Sequence, residues 1–398
     1  PGAIPGKKAV AKYDEDCLTM AVAAGMNCLG NFDREKLDGL YFATTTSPFK
    51  ERLGAGIIST ALDLPPNGRT ADFTDSLKAG TTALLSAYEA IRAGSSRNIL
   101  LCASDCRLGK LGSSQEVSFG DGAVALLLGD NDVIASLEGL YSVSYDLTDH
   151  WRTESDRFDR VWEDRFVRDE GYTKLIPEAI SGLLKKCNLR SKDLAKVVYP
   201  SSYLREHADI GKKLGFEPQQ IQEEMLTKVG DTGVVFPLMM FVAALEDAKP
   251  GDKILLASYG NGSDALLFQV TKEIEKVGDR KKLEKQLASK KELTSYEKYA
   301  TFRNIIPIEK GIRGEEVPTP QNSALWRERK SILALCGSKC KHCGTPQFPF
   351  QRVCVNPNCG AIDEMAYYRF SDKKGKLFTY TGDNLAFSPN PPAIYGII

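Results

Sequence analysis

Four of the ten cysteines fall within a stretch of twenty residues near the end of the sequence. They form two short pairs, C-x2-C and C-x4-C, and are Cys340, Cys343, Cys354 and Cys359. Four thiolates at this spacing suit a tetrahedral Zn²⁺ site, and a site with no open position is structural. His342 and Cys336 lie close enough to act as substitute ligands, and we expect neither to do so. The sequence therefore predicts a structural Zn²⁺ site.

The overall composition limits the classes of function. Apolar residues make up 42% of the 398 residues, and Lys plus Arg equal Asp plus Glu at 52 each. A balanced charge does not provide the basic surface that nucleic acid or an anionic membrane would attract. The sequence shows no run of about 18 apolar residues and no basic-then-apolar leader. We therefore predict a cytoplasmic protein with neither a membrane nor nucleic acid as its partner.

Two segments of the chain repeat the same pattern. Residues 87–105 and 241–260 each combine the end of an amphipathic helix, a glycine-containing turn and a short apolar run. A second apolar run follows each of them, at residues 122–130 and 264–270. One helix-strand-loop-strand unit thus occurs twice, which predicts a layered α/β domain with helices covering its sheets. Between the copies, residues 146–187 are predicted to form a charged, helical insertion.

Several separated motifs accompany this repeat. KAGTTA opens the helix of the first copy and SYGNGSDALLF closes the second, while PGKKAVAKYDEDCLTMAV, LGFEPQQI and SYEKYATFR lie before, between and after them. With these motifs, residues 5–302 resemble the thiolase superfamily, and most nearly the hydroxymethylglutaryl-CoA synthase family. The resemblance implies a thiolase-like duplicated, layered α/β core, with acyl-CoA or coenzyme A as its ligand.

The same resemblance implies a Claisen-type condensation in which a cysteine is acylated, a glutamate moves a proton and a histidine orients the second acyl-CoA. The motifs KAGT, ATTTSPF and VYPSSYLREHADIGKKLGF place Leu77, Thr45 and Pro200 at these three positions. None of these side chains can serve as nucleophile, general base or oxyanion partner. We therefore predict that the three positions are vestigial and that the chain has no catalytic residues of the family type.

Three neighbouring residues could restore part of this chemistry. Ser76 lies one position before Leu77, but adjacent side chains at a helix start point in different directions. Cys106 could approach from a loop, although no adjacent histidine is identifiable and a structural thiol is the simpler interpretation. His207 falls in the helix after Pro200, where we expect a surface residue.

The segment around the four cysteines carries a second resemblance. A helix with Trp326 precedes it and KLFTYTGDNLAFSPNPPAIYGII follows it. This order resembles the DUF35 family, which implies a zinc ribbon followed by an OB-fold, of which this sequence contains only the beginning because such barrels have five strands. The predicted organisation is a synthase-like core (1–271), a helical extension (272–316), a linker and helix (317–335), a zinc ribbon (336–365) and the start of an OB-fold (366–398). Residues 315–323 have the composition of a linker.

Together these features favour a non-catalytic, zinc-containing subunit. It would support a catalytic thiolase-type subunit in a hetero-oligomer, pairing through the strand at residues 98–105. Lys78 and Arg205 are the candidate contacts to the phosphates of coenzyme A. One alternative is an active hydroxymethylglutaryl-CoA synthase-like acyltransferase with relocated catalytic groups. Another is a zinc-ribbon nucleic-acid binder, which would need a basic stripe and interleaved aromatic residues that the sequence does not show.

Overall fold

The structure is a computed structural model that describes residues 6–279, 281–310 and 321–398. These residues form two compact units. The first comprises residues 6–11, 15–55, 67–279 and 281–292, and the second comprises residues 12–14, 56–66, 293–310 and 321–398. Most of the predicted linker at residues 315–323 lies outside the described part of the chain.

The first half of the first unit is a mixed sheet with the strand order β2-β1-β3-β4. Strand β1 is parallel to both β2 and β3, and β4 runs antiparallel to β3. The elements in chain order are α1 (Cys17–Leu29), β1 (Gly39–Ala43), α2 (Gly54–Ala61), β2 (Arg69–Phe73), α3 (Ala79–Arg92), β3 (Asn98–Cys106), α4 (Ser114–Ser118) and β4 (Asp121–Gly129). Helix α2 passes from the first unit into the second after Ala55.

The second half of this unit is a sheet with the order β5-β10-β9-β8. Strand β8 is parallel to β9, while β10 is antiparallel to β9 and to β5. The elements are β5 (Ala135–Ser144), β6 (His150–Trp151), β7 (Arg160–Val161), α5 (Asp164–Phe166), α6 (Thr173–Lys186), β8 (Lys196–Val198), α7 (Leu204–Lys213), α8 (Leu226–Val229), α9 (Phe236–Asp247), β9 (Lys253–Tyr259), β10 (Gly262–Val270) and α10 (Lys282–Ala288).

The predicted repeat is present in both halves. Helix α3 leads into the antiparallel pair β3 and β4, and α9 leads into the antiparallel pair β9 and β10. Helix α9 is buried on most of its surface, as expected for a helix of the middle layer. Helix α3 contacts β1 and β3, and its Thr81 hydroxyl also bonds Ser258 and Asp264 of the other sheet. The two helices therefore lie between the two sheets, with α1 and α6 outside them.

One prediction about elements holds only in part, and another is wrong. Residues 146–187 are only partly helical, because β6 and β7 form a hairpin in which the Asp156 carboxylate accepts from the Thr153 amide, the Thr153 hydroxyl and Arg160. Local side-chain bonds of this kind compete with helix formation. The strand at residues 98–105 is also not an edge, since β3 is paired on both sides. The edges of that sheet are β2 and β4.

The second unit contains the four cysteines. Its strands β11, β12 and β13 form an antiparallel sheet in the order β12-β11-β13, and β14 and β15 form a separate antiparallel pair. Its elements are α11 (Tyr296–Phe302), α12 (Asn322–Arg327), α13 (Arg329–Ala334), β11 (Cys336–Cys340), β12 (Pro346–Gln347), β13 (Met365–Arg369), β14 (Thr379–Asp383) and β15 (Ala393–Ile397). Across the described residues, no helix combines the length and the apolar character needed to span a membrane.

Candidate active site and metal centre

The loops that carry the predicted site residues leave the sheets at the carboxyl ends of parallel strands. In the first sheet, Ala43 at the carboxyl end of β1 is paired with Phe73 at the carboxyl end of β2. The loops with Thr45 and Leu77 therefore leave the sheet at the same end of its strands. In the second sheet, Val198 of β8 is paired with Leu256 of β9, and Pro200 follows β8 directly. Ligands of open α/β sheets are commonly bound at such carboxyl ends.

Asp105, at the end of β3, is the centre of a buried hydrogen-bond network. Its carboxylate accepts from the Thr45 amide (2.7 Å), the Thr45 hydroxyl (3.0 Å) and the Val234 amide (3.0 Å). The hydroxyls of Thr44 and Thr46 donate to it at 3.1 and 3.0 Å. Burial raises the pKa of Asp105, although the bonds from Val234 and Thr45 oppose the rise. Thr45 is therefore held in place by a carboxylate that sequence reasoning missed.

A buried arginine extends this network toward the second sheet. Arg107 donates from Nε to Asp159 at 2.9 Å, and its Nη1 lies 3.5 Å from Asp231. Its guanidinium also lies 3.8 Å from the centre of the Phe119 ring. Asp231 accepts a hydrogen bond of 2.9 Å from the hydroxyl of Ser202, two residues after Pro200. The sequence signal for this network is a pair of charged residues, Asp105 and Arg107, at the end of an apolar strand.

Leu77 lies just before α3, where the end of β9 approaches. The Ser76 hydroxyl donates to the Gly260 carbonyl at 3.0 Å, and a Cβ added at Gly260 would lie 2.9 Å from the Leu77 amide nitrogen. Lys78 Nζ lies 3.1 Å from the buried carboxylate of Asp264, and its side chain is 16% exposed. Because the residues that begin α3 approach so closely, position 260 requires a glycine.

The predicted positions have no hydrogen-bond partner in common among the described residues. Asp105 accepts hydrogen bonds from Thr45 and from Val234. Three residues before Val234, Asp231 accepts a hydrogen bond from Ser202. Leu77 is instead placed beside Gly260. Convergence of Leu77, Thr45 and Pro200 on one pocket stays a prediction. Arg205 has a side chain that is 89% exposed and lies 3.7 Å from Asp209 on the same helix, so its contact with coenzyme A stays a prediction as well.

The expectation that His207 is a surface residue is wrong. His207 lies in α7 as predicted, but it is only 6% exposed and its ring packs on Tyr199, with centroids 4.5 Å apart. Its Nε2 donates to the Tyr199 carbonyl at 3.1 Å, and the Tyr199 hydroxyl donates to the His207 carbonyl at 2.8 Å. Burial lowers the pKa of His207. The residue therefore fixes α7 to the end of β8.

A second histidine that sequence reasoning missed lies on the β6–β7 hairpin. His150 Nδ1 is 2.8 Å from an oxygen of Asp149, whose side chain is 3% exposed. Burial by itself would raise the pKa of Asp149, but the hydrogen bonds and charge of His150 outweigh it and lower that pKa. Arg152 of the same hairpin donates to the Thr45 carbonyl. The hairpin thus carries an Asp–His pair and also contacts the loop after β1.

The four predicted zinc ligands form one cluster. Cys340 Sγ lies 3.8 Å from Cys359 Sγ, Cys343 Sγ lies 3.5 Å from Cys354 Sγ, and all four sulfur atoms lie within 4.8 Å of one another. A tetrahedral site with Zn–S bonds of about 2.3 Å needs sulfur atoms about 3.8 Å apart. The sulfur positions are therefore compatible with a zinc ribbon.

The loops and the protonation chemistry of the cluster also fit a metal. Gly344 and Gly360, each directly after the second cysteine of a pair, have positive φ angles of 76° and 61° that close the two turns. Hydrogen bonds from Thr345 lower the pKa of Cys343 to about 6. A bond from Asn356 favours the Cys354 thiolate, but desolvation and the neighbouring thiols raise its pKa to about 12. A divalent cation would allow all four thiols to ionise together.

The two possible substitute ligands occupy different places. His342 Nδ1 lies 3.7 Å from Cys359 Sγ, at the side of the cluster. Cys336 is buried and its thiol lies 3.8 Å from the Ala334 carbonyl. Within the described residues, the group of candidate ligands consists of the four predicted cysteines.

Known proteins of similar sequence and structure match most of this chain. No family model matches the chain. Hydroxymethylglutaryl-CoA synthase from Methanopyrus kandleri is 30% identical over 302 residues, which cover 75% of this chain and 86% of that protein. A crystal structure of HMG-CoA synthase complexed with CoA has a TM-score of 0.68 at 20% identity and covers 79% of this chain and 84% of that one.

A broader structural relative has the same fold. The 3-oxoacyl-[acyl-carrier-protein] synthase III from Aquifex aeolicus has a TM-score of 0.59 at 20% identity, covering 66% of this chain and 87% of that one. These similarities confirm the predicted thiolase-like α/β fold. The extent of the match to the Methanopyrus protein shows that the chain belongs to the hydroxymethylglutaryl-CoA synthase family.

Proposed function

We propose that this chain is a catalytically degenerate hydroxymethylglutaryl-CoA synthase-like subunit. It would support a catalytic thiolase-type subunit that forms or cleaves carbon–carbon bonds of acyl-CoA substrates, and its zinc ribbon would belong to a DUF35-type arm with the start of an OB-fold. The family membership supports the acyl-CoA part of the proposal. The site residues and the attached four-cysteine unit support the accessory role.

The observation that carries the proposal is the environment of Thr45. A general base needs a free lone pair of suitable pKa within reach of the proton that it removes. The Thr45 hydroxyl instead donates to Asp105, and its amide donates to the same carboxylate. Leu77 offers no nucleophilic atom, and Pro200 offers no side-chain proton donor. All three positions would thus hold structural residues.

Coenzyme A binding is part of the proposal because the solved HMG-CoA synthase of similar fold is complexed with CoA. The two candidate phosphate contacts differ in availability. The Lys78 ammonium is held 3.1 Å from the buried carboxylate of Asp264, whereas the Arg205 guanidinium is exposed. Arg205 is therefore the better candidate for a phosphate that arrives from solvent.

A partner subunit would use an edge of the first sheet. The edge strands are β2 and β4, and β2 leads directly into the segment with Leu77. Unpaired strand edges can extend a sheet across two subunits. We therefore place the expected contact at β2, beside the vestigial site.

Acylation with radiolabelled acetyl-CoA tests the loss of activity. The protein is incubated with the labelled thioester, denatured and counted, with the Methanopyrus kandleri synthase treated in parallel as the positive control. The proposal predicts that the denatured chain retains no label, while the control retains it. Label that survives denaturation would support the second candidate function instead.

The second candidate is an active acyltransferase with relocated groups, and the His150–Asp149 pair favours it. A carboxylate that holds one ring nitrogen can orient the other nitrogen for proton transfer. Cys106 would be the nucleophile, since its amide bonds the Thr46 hydroxyl at 2.9 Å and so lies in the same loop cluster as Thr45. In that case label would map to the Cys106 peptide, and both Cys106→Ser and His150→Gln would abolish it.

A further inference from the structure

A cavity of about 270 Å³ lies within the second unit, and none of the four clustered cysteines lines it. Its size is just below the range usual for small-molecule sites. Charged side chains from separate segments line it: Asp63 comes from residues 56–66, Lys330 from α13, Arg369 from the end of β13, and Asp372 and Lys373 from the turn that follows. Charged side chains are thus concentrated at one concave surface.

The charges are arranged as three cations that share two carboxylates. Asp63 lies 3.2 Å from Lys330 and 3.3 Å from Arg369. Asp372 lies 2.9 Å from Arg369 and 3.1 Å from Lys373. Partial burial alone would raise the pKa of Asp372, but the bonds from Arg369 and Lys373 outweigh it and lower that pKa. With both carboxylates ionised, the five side chains have one positive charge in excess.

The two lysines keep donors available for a ligand. The Lys330 and Lys373 side chains are each 49% exposed, although each lies near a carboxylate. An ammonium has three donors and one contact leaves others free. The Arg369 side chain between them is 27% exposed. A salt-bridge network that only joined two segments would not need three cations around an open cavity.

Two aromatic rings also line the cavity, those of Tyr367 and Tyr368. Lys330 Nζ lies 5.3 Å from the Tyr367 ring centre and Lys373 Nζ lies 5.7 Å from the Tyr368 ring centre. Each cation thus stands beside a flat ring that could contact the organic part of an anionic ligand.

We infer that this cavity binds the phosphate group of a small ligand. A phosphate presents several acceptor oxygens in a tetrahedral arrangement, so Lys330, Arg369 and Lys373 can each donate to a different oxygen. Its negative charge would neutralise the excess of cations, and the tyrosine rings would lie beside the group to which the phosphate is attached. The inference does not depend on the proposed function, because neither acyl transfer nor a partner subunit is needed for binding.

Isothermal titration calorimetry on the intact, zinc-loaded protein at low ionic strength tests this site, with inorganic pyrophosphate and AMP as the two probes. Lys330→Ala and Lys373→Ala should each weaken binding about tenfold, because each removes a charge-assisted hydrogen bond. Asp372→Asn should tighten binding severalfold, since it removes a competing carboxylate. Lys374→Ala is the matched control, because Lys374 is an exposed lysine next to Lys373 that does not line the cavity.

The outcomes separate the inference from nonspecific attraction. Equal affinity for the two probes would assign recognition to the phosphate alone, and tighter binding of AMP would add the tyrosine rings; both results support the site. Failure of both probes to bind at concentrations up to about 1 mM would overturn it. It would also be overturned if Lys374→Ala weakened binding as much as the cavity variants did. Thermal unfolding of each variant checks that the second unit remains folded.

Discussion

Thr45 lacks the ionised oxygen with which a carboxylate accepts a proton. A threonine hydroxyl is not ionised near neutral pH, and this one already donates its proton to Asp105 at 3.0 Å. Asp105 itself is surrounded by donors and fully buried. The result is a fixed structural contact at the place where the family resemblance implies a mobile proton.

Leu77→Cys alone should therefore not create acyltransferase activity. The new thiol would have no base at position 45 to deprotonate it and no oxyanion partner at position 200. Turnover of acetyl-CoA by the purified variant is the measurement, and Leu77→Ser is the matched control for changes in folding. Robust turnover would show that another base operates. The double variant Leu77→Cys/His150→Gln would then show whether His150 supplies it.

Asp105→Asn should destabilise the first unit by about 3 kcal/mol, because an amide cannot accept from all the donors that now point at the carboxylate. Thr45 and Val234 would each compete for the one remaining acceptor oxygen. The free energy of unfolding in urea, followed by a signal from the first unit, measures the change. Asp209→Asn is the control: Asp209 is 67% exposed, so its effect should stay within about 0.5 kcal/mol. Equal effects of the two changes would contradict the network.

At the scale of elements, the sequence predicted what depends on local pattern. The repeated helix and strand pairs were recognisable because the apolar runs at residues 99–103 and 254–257 are buried completely and read as continuous hydrophobic segments. The β6–β7 hairpin was not recognisable, because Asp156 closes its turn with side-chain bonds inside a charged segment that also suits a helix. The interior position of β3 depends on β4 returning beside it, which periodicity does not determine.

The buried residues of the site show the same limit. His207 is predicted correctly to lie in a helix, but its burial depends on Tyr199 of the preceding strand end, and this contact is not encoded in the helix pattern. Asp105 ends an apolar strand, and its partners come from two segments far apart in the sequence, the loop after β1 and the turn before α9. The cysteine cluster was predictable because all of its ligands lie in two short turns.

The junction of α7 with β8 should depend on pH through His207. Burial lowers the pKa of His207 from 6.5, so the folded protein favours the neutral ring. Stability is thus fully present above the ordinary pKa and is lost as pH falls through 6.5, because the unfolded chain binds the proton first. His207→Gln keeps a donor for the Tyr199 carbonyl without titrating. The free energy of unfolding should fall more steeply between neutral and mildly acidic pH in the unchanged protein than in this variant, and parallel curves would exclude the role.

At the scale of the whole molecule, the two units are stabilised in different ways. The first unit buries two large clusters of apolar side chains, whereas the second unit exposes many large apolar residues, among them Trp326, Phe378, Tyr380 and Leu385. A small unit without a large core commonly relies on a metal for its folding energy. The four-cysteine cluster would provide that energy in this chain.

Cys359→Ser should therefore unfold residues beyond about position 337 while the first unit remains folded. Loss of one ligand weakens a closed tetrahedral site, and metal binding is coupled to the folding of such a module. Limited proteolysis combined with zinc analysis of the purified protein measures both effects. The control is Cys187→Ser, which changes a partly buried cysteine in the first unit. If the C-terminal segment of Cys359→Ser resisted the protease as well as the control did, the metal would not be structural.

The chain should also assemble with a thiolase-type subunit that has an intact nucleophile. If Leu77, Thr45 and Pro200 occupy the reactive positions as predicted, the chain can still contribute a sheet edge and an attached unit to a partner. The edge is β2 in this structure, since β3 is paired on both sides. Light scattering on the chain alone and co-expressed with thiolases encoded next to it measures the association. We expect a complex of fixed stoichiometry that retains the thiolase's activity, and a chain that stays separate from every such thiolase would refute the accessory role.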